Sequence, residues 1–493
     1  MSTNHSIRFM LLALALVIAP VSDGLAQRLP GQAVTWRNFD YVRAVTTSVR
    51  YTYYVTTGGV IRYDKMQQRW DLPLTAEEEL PWNLIDRIWV DQFDQALYVS
   101  IESGLYEYDE FFYRWNPIGE LPAIDNDVQH IAAPDMLLPE FSASYMGDGN
   151  LTDHYGRRFT TTDIVLEPDG DMWIGTWGYG PAKGDMSTRL MSLLPYGLLQ
   201  DRVDVILQDD SLFWLGGEIY GDFRTGLTAL QISENRFSYL ESGLTSEFPA
   251  TDVLCLEADS GRVFVGTSAG LFTVDKNTGM ARGPLNARRG LLDDLVVSLL
   301  RRGDSLFVGT AEGLSLVNLR TDSIVDIRPE TFHQRVIYDL EPVDNTIWIA
   351  SSAGAFRYTP EIDRLQQFQD PDLVLFSAVL NVERQDSLVW LASDAGVVSL
   401  DLTSGKSVSY REASNWRDRR ALAVNDRLVA LADDGGLCVI VPGKKKERTF
   451  RLTAADGLAS DYVLSLWFDG DFLWVGTDQG LTRFLWNDPR WTE

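Results

Sequence analysis

Cysteine and histidine are almost missing from this chain of 493 residues, which holds two of the first and four of the second. Cys255 and Cys438 lie in separate apolar, strand-like runs and are not spaced as metal ligands, so they read better as buried free thiols, with a disulfide between them as the alternative in an oxidising compartment. Lysine is scarce too, with 7 against 36 arginines, and the formal net charge is -27. A field of that sign repels phosphate backbones and anionic lipid heads, which excludes nucleic acid as a partner. Long apolar runs are lacking: none approaches the ~20 residues that a transmembrane helix needs, and no stable membrane insertion is expected. The one conspicuous run, residues 9–21, follows Arg8 and leads to the small-residue exit Gly24-Leu25-Ala26. Residues 1–26 therefore read as a secretory signal peptide and 27–493 as the exported chain. No cysteine follows that run, so a lipid anchor is not expected, and the bacterial periplasm and the medium both remain open as destinations.

Catalytic signatures are also missing. The sequence has no G-x-S-x-G elbow, no H-E-x-x-H helix and no Walker loop. The expectation is a protein that is not an enzyme and that names no catalytic residue, metal or cofactor. Asp148-Gly149-Asn150 with Asp153 has a flavour of oxygen-ligand spacing, but it lacks the register of a twelve-residue calcium loop and reads as a polar turn. His130 and His154, in the same segment, read as loop histidines, and Lys444-Lys445-Lys446 as a solvated turn.

What is present is repetition. One phrase recurs ten times: an apolar, often aromatic strand, a small-residue turn ending in Gly, then a second alternating strand. It reads YYVTTGGVIRYD from Tyr53, LYVSIESGLYEYD from Leu97, MWIGTWGYG from Met172, FWLGGEIYG from Phe213 and VFVGTSAGLFTVD from Val263. It continues as LFVGTAEGLSLVN from Leu306, IWIASSAGAFRYT from Ile347, VWLASDAGVVSLD from Val389, LVALADDGGLCVI from Leu428 and LWVGTDQGLTRF from Leu473. An apolar strand and a polar turn precede most copies, and a strand around an aromatic follows, so each unit is a four-stranded antiparallel meander. A period of about 40 to 45 residues with four strands is the propeller signature. The anchor glycines, among them Gly59, Gly104, Gly270, Gly313, Gly354, Gly396, Gly436 and Gly480, should lie in the turn between strands two and three or begin strand three. The recurrent aromatics of strand two should be wedges between neighbouring blades.

These residues resemble the two-component regulator propeller repeat, found in extracellular sensor regions of bacterial hybrid histidine kinases and in free-standing exported proteins. The pattern LWVGT, x-x-G, LTRF carries the resemblance, which covers nearly the whole mature chain. It implies an all-β propeller and leaves the ligand open. The chain departs from those sensors in having ten repeats and no kinase or receiver segment. One ring of ten blades is the expected architecture, with two five-bladed rings as the alternative; seven plus three is disfavoured because three blades cannot close. Thr35-Trp36-Arg37-Asn38-Phe39 reads as a strand that completes the last blade, although Pro489-Arg490-Trp491 resembles the same strand.

Irregularity marks the candidate site. Enlarged connections are expected at 118–160, 177–188 and 217–225, all on one face of consecutive blades. Their content includes Tyr155, Arg157, Arg158, Trp177, Tyr179, Lys183, Tyr220 and Arg224. In so acidic a chain this aromatic and basic mixture suits a sugar-like or anionic ligand, because Arg offers planar forked donors and aromatics stack on flat apolar faces. The leading expectation is a binding module for such a ligand or for an envelope protein. A hydrolase or lyase using channel carboxylates and a pure scaffold are the alternatives.

Overall fold

The computed structural model describes residues 33–74, 85–111, 114–124, 128–138, 143–145, 148–153, 155–221, 224–244, 248–321, 323–327, 334–411, 421–442 and 448–487. The expected signal peptide, His154, His333, Lys444 to Lys446 and Pro489 to Trp491 lie outside them. The chain is all-β, with ten antiparallel four-stranded blades in sequence order. They span 42–70, 85–118, 158–193, 205–241, 253–285, 296–327, 337–368, 379–410, 422–452 and 463–485, numbered 1 to 10 below. All eight anchor glycines named above begin a third strand, each with positive φ. At Gly480 the constraint is double: φ is +138° and a Cβ would sit 2.6 Å from the Trp36 carbonyl, so any side chain would strain the turn and push off the neighbouring strand. The strand-two aromatics Trp173, Phe264, Phe307, Trp348, Trp390 and Trp474 are all buried, as wedges should be. Cys255 and Cys438 are both buried and are not joined in a disulfide.

Blade count and fold class are as expected; closure is not. Neighbouring blades share a seam device. The third residue of one inner strand reaches the carbonyl that opens the next, as Ser298 Oγ donates to Ile337 O at 2.8 Å between blades 6 and 7. Ser465 of blade 10 makes the same 2.8 Å bond to Val203 O, just ahead of blade 4. The glycine of strand two abuts the same spot. A Cβ on Gly309 would lie 2.8 Å from Ile337, and one on Gly476 would lie 2.5 Å from Val203 O. Trp467 Nε1 also donates to Gln208 Oε1 at 2.8 Å, further along this seam. Blades 4 to 10 thus close a ring of seven, in place of the single ring of ten or the two rings of five. As expected, the N-terminal strand Ala33–Trp36 is the fourth strand of blade 10, paired antiparallel with Gly480–Leu485.

Blades 1 to 3 form a separate arc in the order 3-1-2. Gly175 of blade 3 faces Val42 of blade 1, and Asp163 Oδ2 accepts Val45 N–H at 2.9 Å. On the other side, Val55 and Val60 of blade 1 pack with Ile88, Val99 and Ile101 of blade 2. Three blades do not close, and the chain covers an end instead of closing the circle. Strands Met136–Leu138, Ala143–Tyr145 and Asn150–Thr152 of the long insert pair in series from the inner to the outer strand of blade 3, so that sheet returns on itself. Its interior holds Met136, Leu151, Phe159, Met172, Ile174 and Met191. Gln129–His130 pairs along the free edge of Arg158–Leu166.

The arc is an insertion between the ring's closing strand and its first blade. At the neck, Leu198 N–H donates to Arg37 O at 2.8 Å and Asn38 Nδ2 to Leu199 O at 3.0 Å. Tyr196 stands at the junction, with ring centroids 5.6 Å from Phe39, 4.8 Å from Trp70 and 5.2 Å from Phe237. One continuous core, from Trp70 and Trp173 of the arc to Phe213 and Trp474 of the ring, joins the two bodies. If blade 10 seals on blade 4, Gly476→Ala should cost about 1–3 kcal/mol by overpacking the seam. Gly261→Ala, where a Cβ would meet nothing within 4 Å, should be nearly silent in the same urea unfolding series. Equal, small effects would contradict the seam.

Candidate binding cleft between arc and ring

A cavity of about 580 Å³ lies where blade 3 faces the outer strands of blades 4 and 5. Tyr155, Arg157, Tyr179, Leu193 and Pro195 line it from the arc, and Phe237, Tyr239, Leu240, Leu244, Phe248 and Met280 from the ring. Asp40 of the neck, Arg224 and Glu241 complete it. Its volume is in the range of small-molecule sites, and its walls are mainly apolar with a few convergent polar groups.

Local folding places each side chain. Gly178 and Gly180 N–H both donate to Asp40 O, at 2.9 and 3.0 Å, which pins the Gly-Tyr-Gly turn to the neck. Tyr179 is thereby turned inward to stack on Phe159 at 4.3 Å. Phe237 and Tyr239 come from one face of Arg236–Glu241, because alternate residues of a strand share a face. Arg224, on the enlarged connection of blade 4, sits between the rings of Tyr179 and Tyr239, at 5.0 and 5.3 Å.

The polar end is a closed set of ion pairs. Arg224 donates through Nη1 to Asp40 Oδ2 at 2.7 Å and through Nη2 to Glu241 Oε1 at 2.5 Å. Arg157 donates through Nη1 to Glu241 Oε2 at 2.8 Å and through Nε to Asp153 Oδ2 at 2.7 Å. Burial pushes the Asp40 carboxyl up to about 6 against the pull of Arg224, with Glu241 adding repulsion. Burial would raise Glu241 as well, but Arg224 and Arg157 outweigh it and hold that carboxyl below its usual value. Two guanidiniums therefore face three carboxylates, and neither arginine awaits an anion.

Of the eight residues singled out from sequence, the structure brings Tyr155, Arg157, Tyr179 and Arg224 to one cavity. The other four stand elsewhere. Arg158 pairs with Asp148 at 2.7 Å, and Trp177 meets Tyr41 edge-on at 5.3 Å. Tyr220 is 83% exposed. Lys183 pairs with Asp171 at 2.5 Å over the ring of Trp173. The expected enlargement at 177–188 is a correction: only 178–180 form the turn, and Pro181–Asp185 is the third strand, whose Pro and Gly disguise it in the sequence. The 118–160 connection is long as expected, but much of it is sheet that covers blade 3, so the expected wall of three loops does not form. The connection 217–225 is enlarged, running from Gly216 to Gly226.

Sequence reasoning missed Asp40, Tyr239, Glu241 and Phe248, because a cleft between two bodies has no signature within one repeat. It also missed the inner-strand carboxylates Glu257, Glu341 and Glu383, which the repeat does flag, since they occupy one blade position opposite Phe264, Trp348 and Trp390. Glu257 Oε2 accepts Arg301 N–H of the next blade at 3.0 Å, a seam role. Glu341 is pushed up to about 8 by burial and then by Asp339, and Glu383 is raised by burial and by both of those acids.

No protein-family model matches the chain, and no curated protein matches it significantly. Solved structures do. PorZ, a bacterial surface component of the type-IX secretion system of Porphyromonas gingivalis, aligns over 90% of this chain and 68% of its own at 14% identity, with TM-score 0.49. Two extracellular domains from B. thetaiotaomicron are also similar. That of BT4673, described as a one-component system, aligns over 90% and 70% at 12% identity (TM-score 0.45). That of BT3049, described as a hybrid two-component system, aligns over 91% and 69% at 14% identity (TM-score 0.47). At these identities the likeness concerns the fold alone. No helix among the described residues is long and apolar enough to cross a membrane.

The Asp40 shift carries a sign that can be measured. Its pKa is raised from 3.8 to about 6 on folding, so its contribution to stability is complete below about pH 4 and is lost as pH climbs through 6. The stability of the wild type relative to Asp40→Asn should fall by roughly 3 kcal/mol between pH 3 and pH 7. Denaturant titrations of both proteins across that range check it, and a constant difference would contradict the assignment.

Proposed function

We propose that the chain is an exported, non-catalytic binding module that holds an uncharged, glycan-like ligand in the cleft between arc and ring. The carrying observation is a cavity walled by tyrosine and phenylalanine whose charged groups are all paired with one another. Sugars present flat C–H faces to aromatic rings and hydroxyls to charged hydrogen-bonding groups, and such a ligand leaves the ion pairs intact. An anion would have to displace Glu241 from two arginines. Export rests on the signal-like N-terminus, and a role beside envelope sensing rests on the resemblance to the regulator propeller repeat. A hydrolase or lyase is the second reading. It is favoured by Glu341, whose carboxyl keeps its proton at neutral pH as a general acid must.

The two kinds of cleft residue separate binding from folding. Tyr155 is 44% exposed, whereas Arg224 is 7% exposed and holds two carboxylates. In a thermal-shift screen with neutral oligosaccharides, Tyr155→Ala should leave the melting temperature unchanged and weaken capture about tenfold. Arg224→Ala should lower stability by about 3–5 kcal/mol, because it leaves buried Asp40 unpaired. Capture that survives Tyr155→Ala in a folded protein would refute the site. Turnover of a captured oligosaccharide, abolished by Glu341→Gln, would favour the second reading.

A further inference from the structure

We propose that the turn ends of blades 1 and 2 form a docking surface for a zwitterionic lipid bilayer. Four large apolar side chains stand almost fully in solvent there: Val49 at 76%, Met66 at 79%, Phe93 at 91% and Phe111 at 82% exposure. They occupy the turns between strands one and two and between strands three and four, which leave a blade at the same end. The two blades are tied at that end. Gln92 Nε2 donates to Thr47 O at 2.5 Å, and Arg62 Nη1 donates to Glu110 Oε1 at 2.6 Å.

The chain supplies its own control. Met66, Phe93 and Phe111 each stand two residues after an aspartate whose Oδ1 accepts their N–H, at 2.9, 2.7 and 3.0 Å. The same turn recurs at this end of other blades, where that place is held by Asp171, Ser187, Gly261, Asn277, Arg320, Thr403 or Arg427. At this end of the blades, among the described residues, only blades 1 and 2 use this turn to present a large apolar side chain. A rigid turn that holds phenylalanine in water gains nothing for the fold, so the gain lies in what the tip meets.

Separate tips suit a fluid acceptor. A protein partner must match each protrusion with a pocket, whereas a bilayer interface admits them wherever they stand, and aromatic rings settle at headgroup depth. Charge narrows the lipid. The segments 47–51, 64–70, 91–95 and 109–114 hold four basic and five acidic residues, nearly neutral in a chain of net charge -27. An anionic membrane would repel the whole protein, and a zwitterionic one would not. This is surface docking by the four tips, and it is independent of the cleft.

Sedimentation of the full chain with phosphatidylcholine vesicles tests it. The protein should pellet with them, equally at about 0.1 M and about 1 M salt, because apolar insertion is unscreened. Adding phosphatidylglycerol should weaken the association. The double substitution Phe93→Ser with Phe111→Ser should cut the bound fraction about tenfold or more at unchanged melting temperature, since both side chains are exposed. Failure to pellet, binding lost at high salt, or binding untouched by the double substitution would overturn the proposal. So would pelleting that requires an added protein.

Discussion

A β-sheet with two apolar faces must cover both, and the architecture of this molecule follows from how each blade meets that demand. Seven blades do so by closing on one another. The seam admits this because strand two carries Gly or Ala where the next blade's leading residue arrives, as at Gly266, Gly309, Ala350, Ala392, Ala432 and Gly476. Blade 1 has Val55 at that place and blade 2 has Ser100, and both stand outside the ring. Blade 3 keeps Gly175 and accepts Val42 of blade 1 against it, while its other face is closed by its own insert. Blade 2 is the open end, and its third strand, Gly104–Asp109, is half-buried throughout where Gly270–Asp275 of the ring is mostly buried.

Joining two bodies through one neck creates the cleft. Apolar packing around Tyr196 holds the arc to the ring. The ion pairs then set the chemistry of the space beside it. Asp40 belongs to the neck, Arg224 and Glu241 to the ring, and Asp153 and Arg157 to the insert of the arc. Pairs this buried add little to net stability, because desolvation offsets their attraction, but leaving one member alone is costly. Their role is to fix the position of the arc and to leave the cavity without free charge.

The fold was legible because the repeat is physical: a glycine where φ is positive, an aromatic where blades wedge, alternation where one strand has two faces. The closing strand was legible for the same reason, as Trp36 lies in a run shaped like a fourth strand. Ring size was not, because it depends on which blade follows blade 10, and every seam is written in the same small residues. Part of the information was present in Val55, which breaks the small-residue rule, but it takes the structure to show why that matters. Half of the site was legible for a related reason. Tyr155, Arg157, Tyr179 and Arg224 stand out as irregular insertions, whereas Tyr239 and Glu241 sit in an ordinary outer strand and become site residues only because the arc docks beside them.

Closure of blade 10 on blade 4 is the claim on which the arc, the neck and the cleft all depend. Gln208 and Trp467 touch across that seam, while Cys255 and Cys438 are buried and out of reach of reagents. The most direct measurement is the yield of a short thiol-to-thiol cross-linker in native protein carrying Gln208→Cys with Trp467→Cys, compared with Val49→Cys, in the solvent-exposed turn of blade 1, with Trp467→Cys. A seven-bladed ring predicts efficient cross-linking of the first pair and none of the second. Cross-linking of the second pair alone, which would set blade 1 beside blade 10, would contradict it.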